Sequence, residues 1–261
     1  MPNIEKHPNG SFCWMELHTT DQNAAKQFYS SLFGWDAADF PMGPGDVYTI
    51  FHLKGRDSSA ACTLRPDLRQ HGVPPHWMLY IATDDVEAAT KRVAELGGKV
   101  LAGPFDVAEN GRMSVNQDST GGHFCLWQAN KNPGIGIANE HGAFCWADIN
   151  TLDREGATKF YSGLLGWSFV AGEGKDASGY LHIMNGDQMI GGTPPVEMLP
   201  PGMPSHWMIY YQVDDCDAAT EKVQSLGGGV FKAPMDIEGA GRFSIVTDPQ
   251  GAVFALFKST M

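Results

Sequence analysis

Residues 10–35 read GSFCWMELHTTDQNAAKQFYSSLFGW, and residues 142–167 read GAFCWADINTLDREGATKFYSGLLGW. The two stretches share 13 of 26 positions without a gap. A second pair, HWMLYIATDDVEAATKRVAELGG from His76 and HWMIYYQVDDCDAATEKVQSLGG from His206, shares 13 of 23 positions. Because self-similarity at a nearly fixed spacing is the signature of a duplicated structural unit, the chain is predicted to contain two copies of one module.

Each copy contains the same order of predicted elements twice. Residues 12–19 alternate between apolar and polar side chains as a strand does, and Asp21 is placed to cap a helix that stops at Gly34. Extended segments follow, and the pattern restarts with a strand from His76 and a helix from Asp85. We therefore predict an α+β chain of four βαβββ units, divided into a first module at 8–129, a linker at 130–141 and a second module at 142–258.

The composition is typical of a globular protein and excludes some classes of partner. Hydrophobic residues make up 43% of the 261 residues, charged residues make up 18%, and the formal net charge is −12. An acidic chain repels the phosphate backbone, so we expect no nucleic-acid partner. No run of about 18 apolar residues is present to span a bilayer, and the start MPNIEKHPNGSF lacks the apolar segment of a secretory signal. We expect a cytoplasmic protein with no membrane partner.

Two repeated motifs resemble those of a known superfamily. The first is D-x-x-A-x-x-F-Y-x-x-L-[FL]-G-W after the first strand, and the second is a D-D-[VC]-[DE]-A-A helix ending in L-G-G. This pattern resembles the vicinal oxygen chelate superfamily of glyoxalase I, bleomycin-resistance and fosfomycin-resistance proteins, and extradiol dioxygenases. The resemblance covers nearly the whole chain and implies two glyoxalase/bleomycin-resistance-type modules, each with a curved mixed sheet around a ligand-binding trough. It implies no single reaction, since one scaffold hosts several chemistries.

The resemblance also implies a divalent metal in the trough, held by His, Glu or Gln at four strand positions. In this chain those positions hold other residue types: Trp14, Met78, Cys125 and 60–63 in the first copy, and Trp146, Met208, Ala255 and 190–193 in the second. An indole N–H cannot bind a metal, and a thioether suits soft ions. The family metal site is therefore predicted to be absent from both copies, and no cofactor is expected.

A displaced metal site is an alternative, because strand side chains repeat every second position on one face. Glu16 and His18 follow Trp14 on its face, and His76 begins the fifth strand. These residue types suit a divalent ion. The second copy offers a poorer set at the same positions: Asp148, Asn150 and His206. In the simpler alternative, Glu16 and His18 pair with each other.

An aromatic and methionine wall is predicted to line each trough, because the opposite face of the first strand is uniformly apolar and suits packing on helices. The face beginning at Phe12 in the first copy and Phe144 in the second is thus expected to look into the trough. The predicted substrate-binding residues are Trp14, His76, Met78, Tyr80 and Arg112, with Trp146, Asp148, His206, Met208, Tyr210 and Arg242 in the second copy. Arg112 and Arg242 either form local salt bridges or orient an anionic ligand. Glu16 and His18 are the candidate catalytic acid and base.

Several functions fit these residues. The preferred one is a superfamily member that binds or transforms a small organic molecule in an aromatic-lined trough without the family metal. The alternatives are a metal-dependent lyase or dioxygenase with a displaced Glu/His site, and a drug-sequestering binding protein. A further alternative is that Trp14 and Trp146 simply fill troughs that have lost their metal. One chain holds both modules, so a monomer is expected to suffice, with a homodimer as the other possibility.

Overall fold

The protein contains two eight-stranded mixed sheets, one from each sequence repeat. The computed structural model describes residues 3–43, 45–172 and 179–260. A strand, a helix and three further strands occur four times in chain order. The predicted α+β class with four βαβββ units in two modules is therefore confirmed.

The described residues of the first module form eight strands and three helices. Its elements are β1 (Phe12–Thr19), α1 (Gln22–Phe33), β2 (Asp36–Gly43), β3 (Asp46–Leu53), β4 (Arg56–Thr63), α2 (Pro66–Gln70), β5 (His76–Ala82), α3 (Val86–Glu95), β6 (Lys99–Val107), β7 (Gly111–Gln117) and β8 (His123–Ala129).

The second module repeats this order with shorter strands in its first half. Its elements are β9 (Phe144–Asn150), α4 (Arg154–Leu165), β10 (Ser168–Ala171), β11 (Leu181–Asn185), β12 (Gln188–Thr193), a 3-10 turn (Val196–Met198), β13 (His206–Gln212), α5 (Cys216–Ser225), β14 (Gly229–Ile237), β15 (Gly241–Thr247) and β16 (Val253–Ser259).

Both sheets have the same strand order, with the two βαβββ units meeting at the centre. The order is β2-β3-β4-β1-β5-β8-β7-β6 in the first sheet and β10-β11-β12-β9-β13-β16-β15-β14 in the second. The central strands β1 and β5 pair antiparallel, while each pairs parallel with the last strand of its own unit. The first strand of each unit is therefore at the middle of the trough.

The helices begin and end where the sequence indicates. The Asp21 carboxylate accepts the Ala24 N–H at 3.0 Å and caps α1, and Asp85 caps α3 in the same way. Helix α1 ends at Gly34, whose φ of 73° is in the left-handed region that favours glycine. Across the described part of the chain, none of the helices has the length and apolar character needed to cross a membrane.

The two modules contact each other through the repeated F-Y and G-W residues. The Trp35 indole donates to the Gly142 carbonyl at 2.7 Å, and Trp167 donates to the Gly10 carbonyl at 2.9 Å. Each tryptophan thus bonds to the first residues of the other repeat. This reciprocal contact explains why the chain contains the G-W pair twice.

A second reciprocal contact connects each long helix to the opposite module. Tyr29 on α1 donates to Asp248 at 3.1 Å, and Tyr161 on α4 donates to Asp118 at 2.8 Å. All four residues are buried. The helix-bearing faces of the sheets therefore carry these contacts between modules, and the opposite, concave faces form the troughs.

The orientation predicted for Phe12 and Phe144 is wrong. A register shift between Phe12 and Trp14 turns Phe12 away from the concave face. Its ring packs against Phe144 at 6.0 Å and against Trp167 and Trp207 of the second module. Both phenylalanines therefore belong to the contact between modules and not to a trough.

Candidate functional site

The centre of the first trough is formed by β1 and β5. Direct cross-strand partners share a face of a sheet, so the pairing shows which side chains meet in the trough. The opposing pairs are Trp14 with Tyr80, Glu16 with Met78, and His18 with His76. The structure thus brings together six of the residues singled out in the sequence.

A buried carboxylate lies at the floor of this trough. Glu16 Oε2 accepts the Tyr48 hydroxyl at 2.6 Å, and Oε1 accepts the Tyr80 hydroxyl at 3.0 Å and His18 Nε2 at 2.9 Å. The Trp14 indole donates to the Tyr48 oxygen at 2.9 Å. We call Glu16, Tyr48, Tyr80 and Trp14 the first carboxylate cage. Trp14 and Tyr80 are each 5% exposed, so the cage fills the trough floor.

The cage and His18 keep Glu16 ionised. Burial alone acts to raise the pKa of Glu16, but the hydrogen bond and charge of His18, with the Tyr48 and Tyr80 hydroxyls, outweigh it and lower the pKa below its usual value. Burial and the adjacent carboxylate raise the pKa of both tyrosines well above the usual range. The phenols therefore remain protonated donors.

His18 combines a bonded nitrogen with one that has no partner. Nε2 must carry the proton that it donates, because an ionised carboxylate only accepts. Nδ1 is buried and has no hydrogen-bond partner among the described residues. The His18 ring stacks on His76 at a centroid distance of 4.8 Å and an interplanar angle of 17°. The His18 side chain is 16% exposed, so it lies near the end of the trough.

His76 is a neutral neighbour of His18. Its Nδ1–H donates to the Pro74 carbonyl at 2.8 Å. Burial, followed by the charge of His18, lowers the pKa of His76 to about 4. At neutral pH the stacked ring is therefore uncharged, and its Nε2 is an acceptor.

The second trough repeats the cage around a shorter carboxylate. Asp148 accepts the Tyr180 hydroxyl at 2.5 Å, the Tyr210 hydroxyl at 2.8 Å and the Trp146 indole at 3.0 Å. Asp148 is buried, while the three donors are half-buried. We call these four residues the second carboxylate cage. Met208 lies opposite Asp148 on β13, as Met78 lies opposite Glu16.

An asparagine replaces the carboxylate-bound histidine in the second trough. Asn150 occupies the position of His18, and its side-chain N–H donates to His206 Nε2 at 3.2 Å. The His206 Nδ1–H donates to the Pro204 carbonyl at 2.9 Å. Burial raises the pKa of Asp148 above its usual value, against the hydrogen bonds from Tyr180, Tyr210 and Trp146. The pKa values of the two carboxylates are thus displaced in opposite directions.

The two arginines predicted to bind substrate are outside the troughs. Arg112 forms ion pairs with Glu87 on α3 at 2.5 Å and with Asp106 at 3.1 Å. Arg242 pairs with Asp217 on α5 at 2.6 Å and with Asp236. Side chains alternate between faces along a strand, and each arginine is on the helix-bearing face. The geometry supports the local salt bridges and not an anion-binding role.

Three side chains could hold a metal ion in the first trough. Candidate ligand atoms of Glu16, His18 and Cys62 all lie within 4.8 Å of one another. Both Glu16 oxygens already accept hydrogen bonds, and burial and the Glu16 charge raise the pKa of the Cys62 thiol, which keeps it protonated. The second trough builds an equivalent cage around Asp148 with Asn150 in the place of His18. As arranged, this set fits a hydrogen-bonded carboxylate better than the divalent metal of the superfamily.

Sequence reasoning missed Tyr48, Tyr180 and Cys62. The two tyrosines are 132 positions apart, the same offset as Glu16 and Asp148, so extending the repeat alignment past residue 35 would have found them. Cys62 lies opposite His18 in the parallel β1–β4 pairing. That contact depends on strand register, and no local motif indicates it.

The fold and these cages define a tandem βαβββ protein with one carboxylate cage in each module. The model of the Glyoxalase/Bleomycin resistance protein/Dioxygenase superfamily matches residues 12–126 and 144–256. The chain therefore belongs to this superfamily.

Curated relatives match along the whole chain. "Putative glyoxylase CFP32" of Mycobacterium tuberculosis is 40% identical over 261 residues, which cover 99% of this chain and 98% of the relative. "Anthracycline biosynthesis protein DnrV" of Streptomyces peucetius is 33% identical over 258 residues, which cover 95% of this chain and 92% of the relative. The similarity thus includes both modules.

Solved structures with low sequence identity share the fold. The Mn(II)-bound glyoxalase from Novosphingobium aromaticivorans has a TM-score of 0.66 at 14% identity, covering 99% of this chain and 83% of that one. The 2,3-dioxygenase LapB from Pseudomonas sp. KL28 has a TM-score of 0.64 at 13% identity, covering 97% of this chain and 94% of that one. These likenesses show the architecture and not the reaction.

Proposed function

We propose that the chain binds a small organic molecule in its troughs and transforms it in the first module, using Glu16 and His18 without a bound metal. One observation carries the proposal: the His18 ring donates through Nε2 to a buried carboxylate, while Nδ1 has no partner among the described residues. An imidazole held by a carboxylate at one nitrogen can act as a general base through the other, and here the ligand has to displace the side chains that cover Nδ1.

Each group in the first trough has a defined part in this chemistry. His18 Nδ1 accepts a proton from the bound molecule, and ionised Glu16 stabilises the imidazolium that forms. The Tyr48 and Tyr80 hydroxyls hold the carboxylate in place. Return of the same proton to a neighbouring atom of the molecule gives an isomerisation that needs no other reactant.

The relatives support a choice of trial ligands. The name of the mycobacterial relative describes a glyoxylase, which makes methylglyoxal with glutathione the first substrate to try. The name of the Streptomyces relative places it in anthracycline biosynthesis. Anthracyclines are planar aromatic molecules, and the aromatic trough walls suit such a guest.

Binding without chemistry is the second candidate function. It is favoured by the second trough, where Asn150 stands in the place of the carboxylate-bound histidine and bonds to His206. A trough without the carboxylate-bound histidine has no general base of this kind, so in this second candidate function the chain binds its ligand without transforming it.

The test is turnover by chelator-treated protein together with a matched pair of variants. His18→Asn gives the first trough the residue of the second, and loss of the base is expected to lower turnover about 10²–10⁴-fold. His206→Asn alters the second trough alone and is expected to retain turnover. Full activity of His18→Asn contradicts the proposed role. Ligand binding with no turnover by the unmodified protein favours sequestration.

A monomer is proposed to be sufficient for both troughs, because each sheet is formed within one module of the same chain. Light scattering during size-exclusion chromatography is expected to give the mass of one chain or of a homodimer, with equal activity per chain on dilution. Loss of activity when a dimer dissociates would contradict this.

A further inference from the structure

The second trough differs from the first in being more accessible and more aromatic. Trp146 and Tyr210 are half-buried, whereas their counterparts Trp14 and Tyr80 are buried; Tyr180 and its counterpart Tyr48 are both half-buried. The second trough also contains two rings that the first lacks. His182, in the place of Ile50, lies edge-on to Tyr180 at 5.0 Å and to Trp146 at 6.3 Å, and Phe243, in the place of Met113, is 6.5 Å from Tyr210.

Glycine at one position allows the second cage to form. A Cβ on Gly192 would overlap the phenol of Tyr180, so the ring occupies space that a larger residue would fill. The first repeat has Ala60 at this position. Tyr48 donates to the longer Glu16 side chain beside Ala60, whereas Tyr180 occupies the space over Gly192 and donates to the shorter Asp148 side chain.

The charge of Asp148 is held by uncharged donors within the second carboxylate cage. These donors are one indole N–H and two phenol O–H groups. Burial raises the pKa of the Asp148 carboxyl above its usual value, although the hydrogen bonds of the cage and the charge of His182 act to lower it. A cation placed among these rings would gain both from the carboxylate and from the ring faces.

The wall of this trough already holds an ammonium group. Lys232 Nζ lies 5.1 Å from the centroid of the Phe243 ring. Lys232, Ile245, Ala255 and Tyr210 are successive cross-strand partners, so the lysine shares the concave face with the cage. In the first repeat, Ala102 and Met113 replace Lys232 and Phe243. The aromatic contact with a cation is therefore particular to the second module.

We infer that the second trough is a binding site for a small organic cation of the alkyl- or arylammonium class, recognised by Asp148 and the surrounding rings. Aromatic side chains around a carboxylate are suited to ammonium groups, because ring faces and carboxylate both attract positive charge. The inference rests on the proposed function only in that the troughs bind small molecules. It does not depend on the His18 chemistry, because it concerns the other module.

The test compares three probes with one ring and different charge by titration calorimetry. They are benzyltrimethylammonium, benzyl alcohol and phenylacetate. The cation is expected to bind roughly tenfold more tightly than the alcohol, and phenylacetate more weakly than either. Equal affinities, or preference for phenylacetate, would overturn the inference.

Three variants locate the site, because each is expected to change the binding of the cation in a different direction. Asp148→Asn keeps the size of the side chain and is expected to abolish the preference for the cation. Glu16→Gln is the matched change in the first trough and is expected to leave the preference intact. Lys232→Gln removes a competing cation and is expected to increase affinity. Loss of the preference for the cation in Glu16→Gln but not in Asp148→Asn would place the cation in the first trough and overturn the inference.

A measurement on the unmodified protein covers the case in which Asp148→Asn does not fold. Backbone amide chemical shifts of isotope-labelled protein are expected to move on β9, β11 and β13 when benzyltrimethylammonium is added. Changes confined to β1 and β5 would overturn the inference. Turnover in the first trough is tested through His18, so failure of that proposal leaves this result unaffected.

Discussion

The two troughs of this chain share a carboxylate cage and differ in what contacts it. Trp14, Tyr48 and Tyr80 surround Glu16, as Trp146, Tyr180 and Tyr210 surround Asp148. Glu16 is also bonded to His18, whereas the second trough has Asn150 at that position. A feature present in both copies is most simply explained by the fold. A feature confined to one copy is the better candidate for specific chemistry.

The difference between the troughs is visible in the pKa directions. Both carboxylates are buried and each accepts two phenol hydroxyls, yet the pKa of Glu16 is lowered and that of Asp148 is raised. Among the groups that lower the Glu16 pKa, the hydrogen bond from His18 is the largest. The comparison therefore identifies His18 as the residue that converts a shared structural cage into a carboxylate–histidine pair.

Neutralising each carboxylate is the strongest test of this comparison. Glu16→Gln is expected to reduce turnover by about 10²-fold, because an amide cannot stabilise the imidazolium of His18. Asp148→Asn is expected to leave turnover within about twofold, since Asn150 beside it is not a base. Initial rates with methylglyoxal and glutathione provide the measurement. Equal small losses in both variants would show that neither carboxylate takes part.

Filling the space above β12 is expected to have a smaller effect. Gly192→Ala forces Tyr180 away from Asp148, and overpacking of this kind typically costs about 1–3 kcal/mol of unfolding free energy. The matched change in the first trough, Ala60→Gly, is expected to cost about 0.5–1 kcal/mol through backbone entropy, with a further loss from removal of the buried methyl group. Urea unfolding of both variants gives the comparison. A Gly192→Ala protein as stable as the parent would mean that Tyr180 does not occupy this space.

The two carboxylates are expected to change the unfolding free energy in opposite directions as the pH rises. Glu16 has a lowered folded pKa, so its stabilising contribution is present above the unfolded value of about 4.3 and is lost as pH falls through the folded value. Asp148 has a raised folded pKa, so its ionisation reduces stability as pH rises from about 3.9 through the folded value. The two carboxylates therefore contribute to the unfolding free energy with opposite dependence on pH.

Unfolding free energies measured between about pH 3 and pH 7 test this sign difference. As pH rises, the unfolding free energy of Glu16→Gln is expected to fall relative to that of the parent. The unfolding free energy of Asp148→Asn is expected to rise relative to that of the parent. The same trend in both variants would contradict the opposite environments of the two carboxylates.

The repeat and the strand alternation were enough to predict much of this molecule. Repeated motifs predicted two modules of two βαβββ units, and period-two alternation placed Glu16 and His18 on one face with Trp14. The pairing of β1 with β5 then brings that face against His76 and Met78. These features depend on local pattern, which a single sequence contains.

Other parts of the site depend on tertiary register. The shift between Phe12 and Trp14 moved Phe12 into the contact between modules, which alternation alone does not reveal. Tyr48 reaches Glu16 from β3, two strands away in the sheet, so its recurrence as Tyr180 in the repeat marks the residue but not the contact that it makes. The sequence left two roles open for Arg112, and only the tertiary contact with Glu87 on α3 favours the local salt bridge.

The central claim is that the first trough works through a hydrogen-bonded carboxylate and histidine, not through an ion held by protein ligands. The most direct measurement is the metal content of purified, active protein by elemental mass spectrometry, with turnover recorded before and after treatment with a chelator. The account predicts far less than one divalent ion per chain and unchanged turnover. One tightly bound ion per chain, with activity lost on its removal and restored on its return, would contradict it.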